Sequence, residues 1–264
     1  MSPPQQLQHL FVGVGTDARP IAYMHQPGNT TGNLPSVLWL QGFKSEMISI
    51  KATALAEWTQ RRGLPYVRFD YSGHGQSAGR FEDGTISRWL EETVAVFDQV
   101  TAGPQIVVGS SMGGYLALLL IRKLQARTNS VKPGRIAGLV MIAPAWDMTD
   151  LMWKKASDEA RRAILEDGVW HRPSQYGEPY PITRGLIEDG NGNLLGNEPW
   201  NPGCPVEIIH GRHDPDVPFA HSQHLAKVLI GSTINLTEVP DGEHRLSRPQ
   251  DLELLFERIE ALLP

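Results

Sequence analysis

The segment Gly109-Ser110-Ser111-Met112-Gly113 sets a serine between glycines two residues to either side. An apolar run, Gln105 to Val108, leads into it, and a second apolar stretch from about Met112 to Leu124 follows. A strand that turns sharply into a helix needs small residues at the turn, and the turn lifts the central hydroxyl clear of the backbone. Only Ser111 has both glycines, since Ser110 has Val108 and Met112 at those offsets. The spacing makes Ser111 the candidate nucleophile for acyl transfer. The competing reading is a glycine-rich turn that serves packing alone.

A serine hydroxyl attacks poorly until a neighbouring base takes its proton. Where such an elbow carries a relay on an α/β sheet, acid and then histidine follow the serine in the chain. Val206 to Ile209 reads as a strand that runs into His210-Gly211-Arg212-His213-Asp214-Pro215-Asp216. Asp214 is nearer the strand end and is favoured as the acid over Asp216. His210 and His213 flank that turn and are read as stabilising it. Of nine histidines, His244 lies in Asp241-Gly242-Glu243-His244-Arg245, between the last apolar run and the C-terminal helix. That position brings it to the same sheet edge as Ser111 and Asp214, so His244 is the expected base. His74 precedes the serine, in Ser72-Gly73-His74-Gly75, and is read as structural. Acyl transfer also needs donors aimed at the developing oxyanion. The amides of Met112, just after the nucleophile, and of Phe43, in Gln41-Gly42-Phe43, are the candidates.

The elements that must position these residues alternate. Leu7 to Val14 and Ile21 to His25 read as a hairpin, and Ser36 to Leu40 as a buried strand. Ile50 to Arg62 carries Leu55, Trp58 and Thr59 on one helical face and stops at Gly63. Tyr66 to Phe69 returns as a strand, Ile86 to Gln99 has a helical apolar period, and Ile136 to Ile142 is another strand. After Val206 to Ile209 come a helix from about Ala220 to Leu229, a strand from Ile234 to Val239 and a helix from Pro249 to Leu263. Strands alternating with helices predict one α/β domain over 1–264, with eight strands in a mostly parallel sheet covered on both faces. Residues 145–203 break the rhythm. They read as an inserted cap with a helix near Asp150 to Leu165 and no clear strand, and Met148, Leu151, Met152, Trp153, Trp170 and Tyr176 are candidates to line an acyl pocket.

Composition narrows the chemistry. A net charge of −5 offers nothing to draw nucleic acid. The lone Cys204 excludes an intrachain disulfide and a cysteine-based metal cluster. The longest apolar run, Tyr115 to Ile121, is far below the roughly 20 residues of a membrane span. Met1 to Gln6 lacks the basic and apolar regions of a signal peptide, so the expectation is a cytoplasmic protein needing neither metal nor organic cofactor.

These motifs, in this order, resemble the α/β-hydrolase superfamily across nearly the whole chain. Arg68-Phe69-Asp70-Tyr71-Ser72-Gly73, Gly103-Pro104-Gln105-Ile106 before the elbow, Cys204-Pro205 before the acid strand, and Gly168-Val169-Trp170 with Pro173-Ser174 and Tyr176 resemble one branch more closely. That branch comprises mitochondrial acyl-protein thioesterases that also hydrolyse acyl glucuronides, together with bacterial relatives. The resemblance implies a triad of Ser111, Asp214 and His244, an acyl ester or thioester as substrate, and an acylated protein as a further candidate partner. Two positions depart from it: Glu243 replaces an aspartate and Tyr115 a tryptophan. No segment resembles a mitochondrial transit peptide, which favours a bacterial relative. Three other readings stay open on the same scaffold: a carbon–carbon bond hydrolase, an acyltransferase, and a catalytically weak protein that binds a small ligand.

Overall fold

A computed structural model describes residues 6–29, 34–174 and 177–264. The first hairpin is β1 (Leu7–Val12) and β2 (Arg19–Gln26), paired antiparallel. Then follow β3 (Ser36–Leu40), α1 (Ile50–Arg62), β4 (Tyr66–Phe69), α2 (Ile86–Gln99), β5 (Gln105–Ser110), α3 (Met112–Thr128) and β6 (Ile136–Ile142). After a long excursion the sheet resumes with β9 (Val206–Gly211), α7 (Phe219–Val228), β10 (Ile234–Val239) and α8 (Pro249–Glu260). The eight strands lie in the order β1-β2-β4-β3-β5-β6-β9-β10, parallel from β4 onward.

Strand periodicity divides the core between the two faces. Leu38, Leu40 and Val107 pack with α2, α3 and α7, whereas Val37, Trp39, Ile106 and Val108 pack with α1 and α8. Successive side chains on a strand point to opposite faces, so a strand covered on both must be apolar throughout. All of β3 and β5 is buried accordingly. Gly63 ends α1 in the left-handed region, at φ 69°, with its amide returning to the last turn.

The excursion after β6 differs from the sequence expectation. The single helix near Asp150 to Leu165 is broken into α4 (Met148–Lys155) and α5 (Asp158–Arg162), followed by a π-turn to Asp167. Ser157 explains the break, because its hydroxyl accepts from the Ala160 amide and caps a new helix. Two strands, β7 (Val169–Arg172) and β8 (Tyr180–Thr183), pair antiparallel where none was expected, and α6 (Arg184–Asn191) follows directly. Each strand has four residues and one carries Pro181, too little local pattern to mark a strand; the pairing is made by tertiary contact. Ile164, Ile182 and Ile187 bind these pieces into a small core of their own.

Candidate active site

The turn between β5 and α3 holds Ser111 at φ 54° and ψ −116°, a conformation costly for a residue with a side chain. Its surroundings fix it there. The Ser111 amide donates to the Ile142 carbonyl at 2.8 Å, and its carbonyl accepts from Gly114 at 3.0 Å and Ala145 at 3.1 Å. The flanking glycines are required by space: a Cβ on Gly109 would lie 2.4 Å from the Gly113 carbonyl oxygen. One on Gly113 would lie 2.0 Å from that of Leu40.

His244 meets Ser111 from the loop after β10. Its Nε2 lies 3.1 Å from the Ser111 Oγ, and its Nδ1 lies 2.7 Å from Asp214 Oδ2. The loops that carry acid and base cross closely, since a Cβ on Gly211 would come 2.4 Å from the Gly242 carbonyl oxygen. Asp214 Oδ1 accepts the amides of Asp216 at 2.9 Å and Val217 at 2.8 Å. Burial by itself would raise the Asp214 carboxyl, but hydrogen bonds from His210 and His244 and the Val217 amide outweigh it and hold it well below the usual range. Asp214 is therefore an anion aimed at the imidazole. Asp216 turns instead to Arg172, at 3.2 Å.

His210 belongs to the same network. Fully buried, it has Nδ1 2.6 Å from the Ser222 hydroxyl and Nε2 2.9 Å from the Val217 carbonyl and 3.1 Å from Asp214 Oδ2. The Nε2–H tautomer satisfies all three contacts, so His210 braces the acid as well as its turn. His213, by contrast, is exposed.

The loop after β3 runs beside the serine, where a Cβ on Gly42 would lie 3.3 Å from the Ser111 Cβ. Among the described residues no acceptor takes the amide hydrogen of Phe43 or of Met112. Met112 opens α3, where amide groups lack intrahelical partners and the helix dipole favours negative charge. His74 sets the loop's course. Its Nδ1–H donates to the Ser72 carbonyl at 3.2 Å, and its Nε2 accepts the Lys44 amide at 3.1 Å. Burial pushes the His74 imidazole down to about 4, so it is neutral and able to accept. Asp70 adds a second tie, accepting the Met47 amide at 2.6 Å and the Gln41 side chain at 3.0 Å.

A pocket of about 730 Å³ opens over Ser111 and His244. Met148, Leu151, Met152 and Trp170 line it as expected from the sequence, joined by Ile164 and Ile182, which periodicity did not single out. Tyr176 lies outside the described residues. Trp153 corrects the expectation: it lines a separate cavity of about 230 Å³ with Leu165 and Arg184, its ring 5.6 Å from the Arg161 guanidinium. Met148, Leu151 and Met152 share one face of α4 by their three- and four-residue spacing, and Trp153 projects about 140° away from Met148. Tyr115, the other departure, donates its hydroxyl to the Asn193 carbonyl at 2.8 Å and ties α3 to the segment after α6.

Asp214, Asp216 and His244 bring three ligand-type atoms within 4.8 Å of one another. The donors are already committed, Asp214 to His244 and Asp216 to Arg172, so the cluster reads as a hydrogen-bonded relay rather than a metal site.

A mostly parallel sheet of this order, with a serine at the turn after β5 and a histidine and an aspartate on later loops, is the α/β-hydrolase fold. Residues 35–172 match the family model described as Hydrolase_4, serine aminopeptidase S33, and the chain belongs to that hydrolase family. It is 31% identical over 88% of its length to the mitochondrial palmitoyl-protein thioesterase ABHD10 of Bos taurus, covering 74% of that protein. Among solved structures, a putative hydrolase from Agrobacterium vitis S4 superposes with a TM-score of 0.94 at 42% identity, covering 99% of this chain and 100% of the other. Alpha/beta hydrolase domain-containing protein 10 from mouse superposes at 0.83 and 30% identity, with 97% and 98% coverage. These relatives place the chain in the branch that the sequence motifs resemble and support hydrolysis of ester or thioester bonds.

Proposed function

We propose that the protein is a serine esterase or thioesterase that works through an acyl-enzyme on Ser111. The observation that carries this reading is the continuous relay from the Ser111 Oγ through His244 to the ionised Asp214, at 3.1 Å and 2.7 Å, under a largely apolar pocket. His244 Nε2 takes the hydroxyl proton as Oγ attacks the acyl carbonyl. The amides of Phe43 and Met112 hold the resulting oxyanion. As the carbon–oxygen or carbon–sulfur bond breaks, His244 returns the proton to the leaving alcohol or thiol. Water then attacks the acyl-enzyme by the same route, and the acid departs.

The acyl chain lies among Met148, Leu151, Met152, Trp170 and Ile182 of residues 145–203, which act as a cap that sets chain preference. The names of the thioesterase relatives support an acyl thioester as substrate.

Fluorophosphonate labelling followed by peptide mapping tests the nucleophile, and a graded series of acyl thioesters and p-nitrophenyl esters tests the reaction. The expected adduct is on Ser111, with turnover of the series lost in Ser111→Ala. A label on Ser110, or a labelled protein that turns over none of the series, would overturn the proposal.

A further inference from the structure

The turn that carries the acid is pinned from two sides. Asp214 Oδ1 accepts the amides of Asp216 and Val217, at 2.9 and 2.8 Å. Val217 is fixed from the core, since it is buried and its carbonyl accepts from His210 at 2.9 Å. Asp216 is part-exposed, and among the described residues its other hydrogen bonds come from the cap. Lys155, the last residue of α4, donates its Nζ to the Asp216 carbonyl oxygen at 2.7 Å. Arg172, the last residue of β7, donates to the Asp216 carboxylate at 3.2 Å.

Stability does not explain this pair of contacts. The Arg172 and Asp216 side chains are 33% and 27% exposed, and an ion pair so open to water adds little to the fold. Its placement says more. Ligand-type atoms of Asp214, Asp216 and His244 all lie within 4.8 Å of one another. A second carboxylate that close competes with Asp214 for the imidazole unless a cation holds it aside. Lys155 stands within electrostatic reach of the same group: burial and Arg172 lower its ammonium, while Asp216 and Asp214 favour its charged form.

The elements that carry these cations also carry the apolar wall. Met148, Leu151 and Met152 stand on α4 and Trp170 on β7, all lining the pocket over Ser111. The far end of the cap is anchored elsewhere, Asp189 of α6 accepting the Ser87 amide of α2 at 2.8 Å. Asp216 is therefore where α4 and β7 grip the loop after β9.

We infer that Lys155 and Arg172 are positioning residues for the proposed hydrolysis: from the cap they hold Asp216 so that its amide orients Asp214 and its carboxylate stays off His244. This rests on the proposed function, in which Asp214 must keep the His244 Nδ1–H in place while Nε2 accepts the Ser111 proton. The wall that meets the acyl chain thereby also sets the acid.

Two readouts test this, one with turnover and one without. The first is kcat and KM on p-nitrophenyl acetate and p-nitrophenyl decanoate. In Arg172→Met and in Lys155→Met, kcat falls about tenfold on both esters, the scale of a slightly misplaced relay. Each KM stays within about twofold of wild type, because the loss lies in the chemical step. Arg172→Lys keeps most of the activity. In an Asp216→Asn background, Arg172→Met changes kcat by less than about twofold, whereas Lys155→Met still lowers it, since Lys155 grips the main chain. The second readout is the downfield proton resonance of His244 Nδ1–H in the resting protein, assigned by its loss in His244→Gln. It is expected in the wild type, broadened by exchange with water in Arg172→Met and restored in Arg172→Lys. A cap residue that only shaped the pocket would raise KM for the decanoate and spare the acetate, and that pattern overturns the inference. So does an unchanged kcat in Arg172→Met, an undiminished Arg172→Met effect in the Asp216→Asn background, or a resonance that is absent from the wild type or unmoved in Arg172→Met. A resonance that responds as expected in a protein that hydrolyses neither ester refutes the proposed reaction and leaves the positioning role standing.

Discussion

Replacing Asp214 with asparagine should disable the relay while leaving the fold in place, and the geometry says why. The Oδ1 position accepts two backbone amides, from Asp216 and Val217. An asparagine therefore turns its carbonyl oxygen to that position and its NH2 to the one where Oδ2 faces His244 Nδ1 at 2.7 Å. An NH2 group donates, so His244 must present an unprotonated Nδ1 and carry its hydrogen on Nε2, where it cannot accept the Ser111 proton. The same loss of tautomer in a serine-protease triad costs about 10⁴ in kcat. That corresponds to roughly 5.5 kcal/mol of transition-state stabilisation. Stability should fall less, by about 1–3 kcal/mol, since the backbone bonds to Oδ1 survive, the His244 contact becomes a neutral one, and the His210 Nε2–H, which loses Oδ2, keeps the Val217 carbonyl as acceptor. Steady-state kcat on a short-chain p-nitrophenyl ester, beside a urea melt, measures both quantities. Asp216→Asn serves as control, because Asp216 faces Arg172 rather than His244. A kcat for Asp214→Asn within tenfold of wild type, or an equal loss in Asp216→Asn, would refute the reasoning.

Three further outcomes are expected. Trp170→Ala should change the ratio of long-chain to short-chain kcat/KM by about tenfold, the worth of one to two buried methylenes, while Trp153→Ala lowers the melting temperature with its chain-length profile intact; the reverse pattern in an ester series would move the acyl site. Gly113→Ala forces a Cβ to 2.0 Å from the Leu40 carbonyl oxygen, so thermal denaturation should show a loss of several degrees, together with lost activity; a stable, active variant would mean that the elbow can relax. Lys51, lowered to about 8 by burial, holds its proton less tightly folded than unfolded, where the value is about 10.4. Its protonation therefore opposes folding fully below pH 8, and the penalty fades as pH rises from 8 toward 10.4. Urea melts should accordingly show the stability of Lys51→Met relative to wild type declining over that interval; a difference that does not change with pH would contradict it.

Much of the sheet was legible because both of its signals are local. Ser36–Leu40, Tyr66–Phe69, Ile136–Ile142 and Ile234–Val239 have the bounds expected from their apolar runs, α1 those expected from helical period and its terminal Gly63, and α2 those expected from helical period alone. The excursion after β6 was not. Val169–Arg172 and Tyr180–Thr183 are too short, and the latter carries a proline, so they become strands only by finding each other.

The sequence by itself determined which side chains could form a relay, because the elbow depends on two glycines whose absent Cβ atoms let three backbone segments meet. It also put Ser111, Asp214 and His244 in loops after strands, which a parallel sheet brings to one edge. Tertiary structure alone decided what surrounds them. That His210 braces Asp214, that His74 holds the Lys44 amide, and that Trp153 turns away while Ile164 and Ile182 line the pocket each depend on contacts between residues far apart in sequence. So does the charge at Lys51: a lysine in the first turn of a helix reads as a solvated surface residue until another loop, carrying Arg245 and Ser247, closes over it and removes the water. Burial is a property of packing, and no local pattern of residues records it.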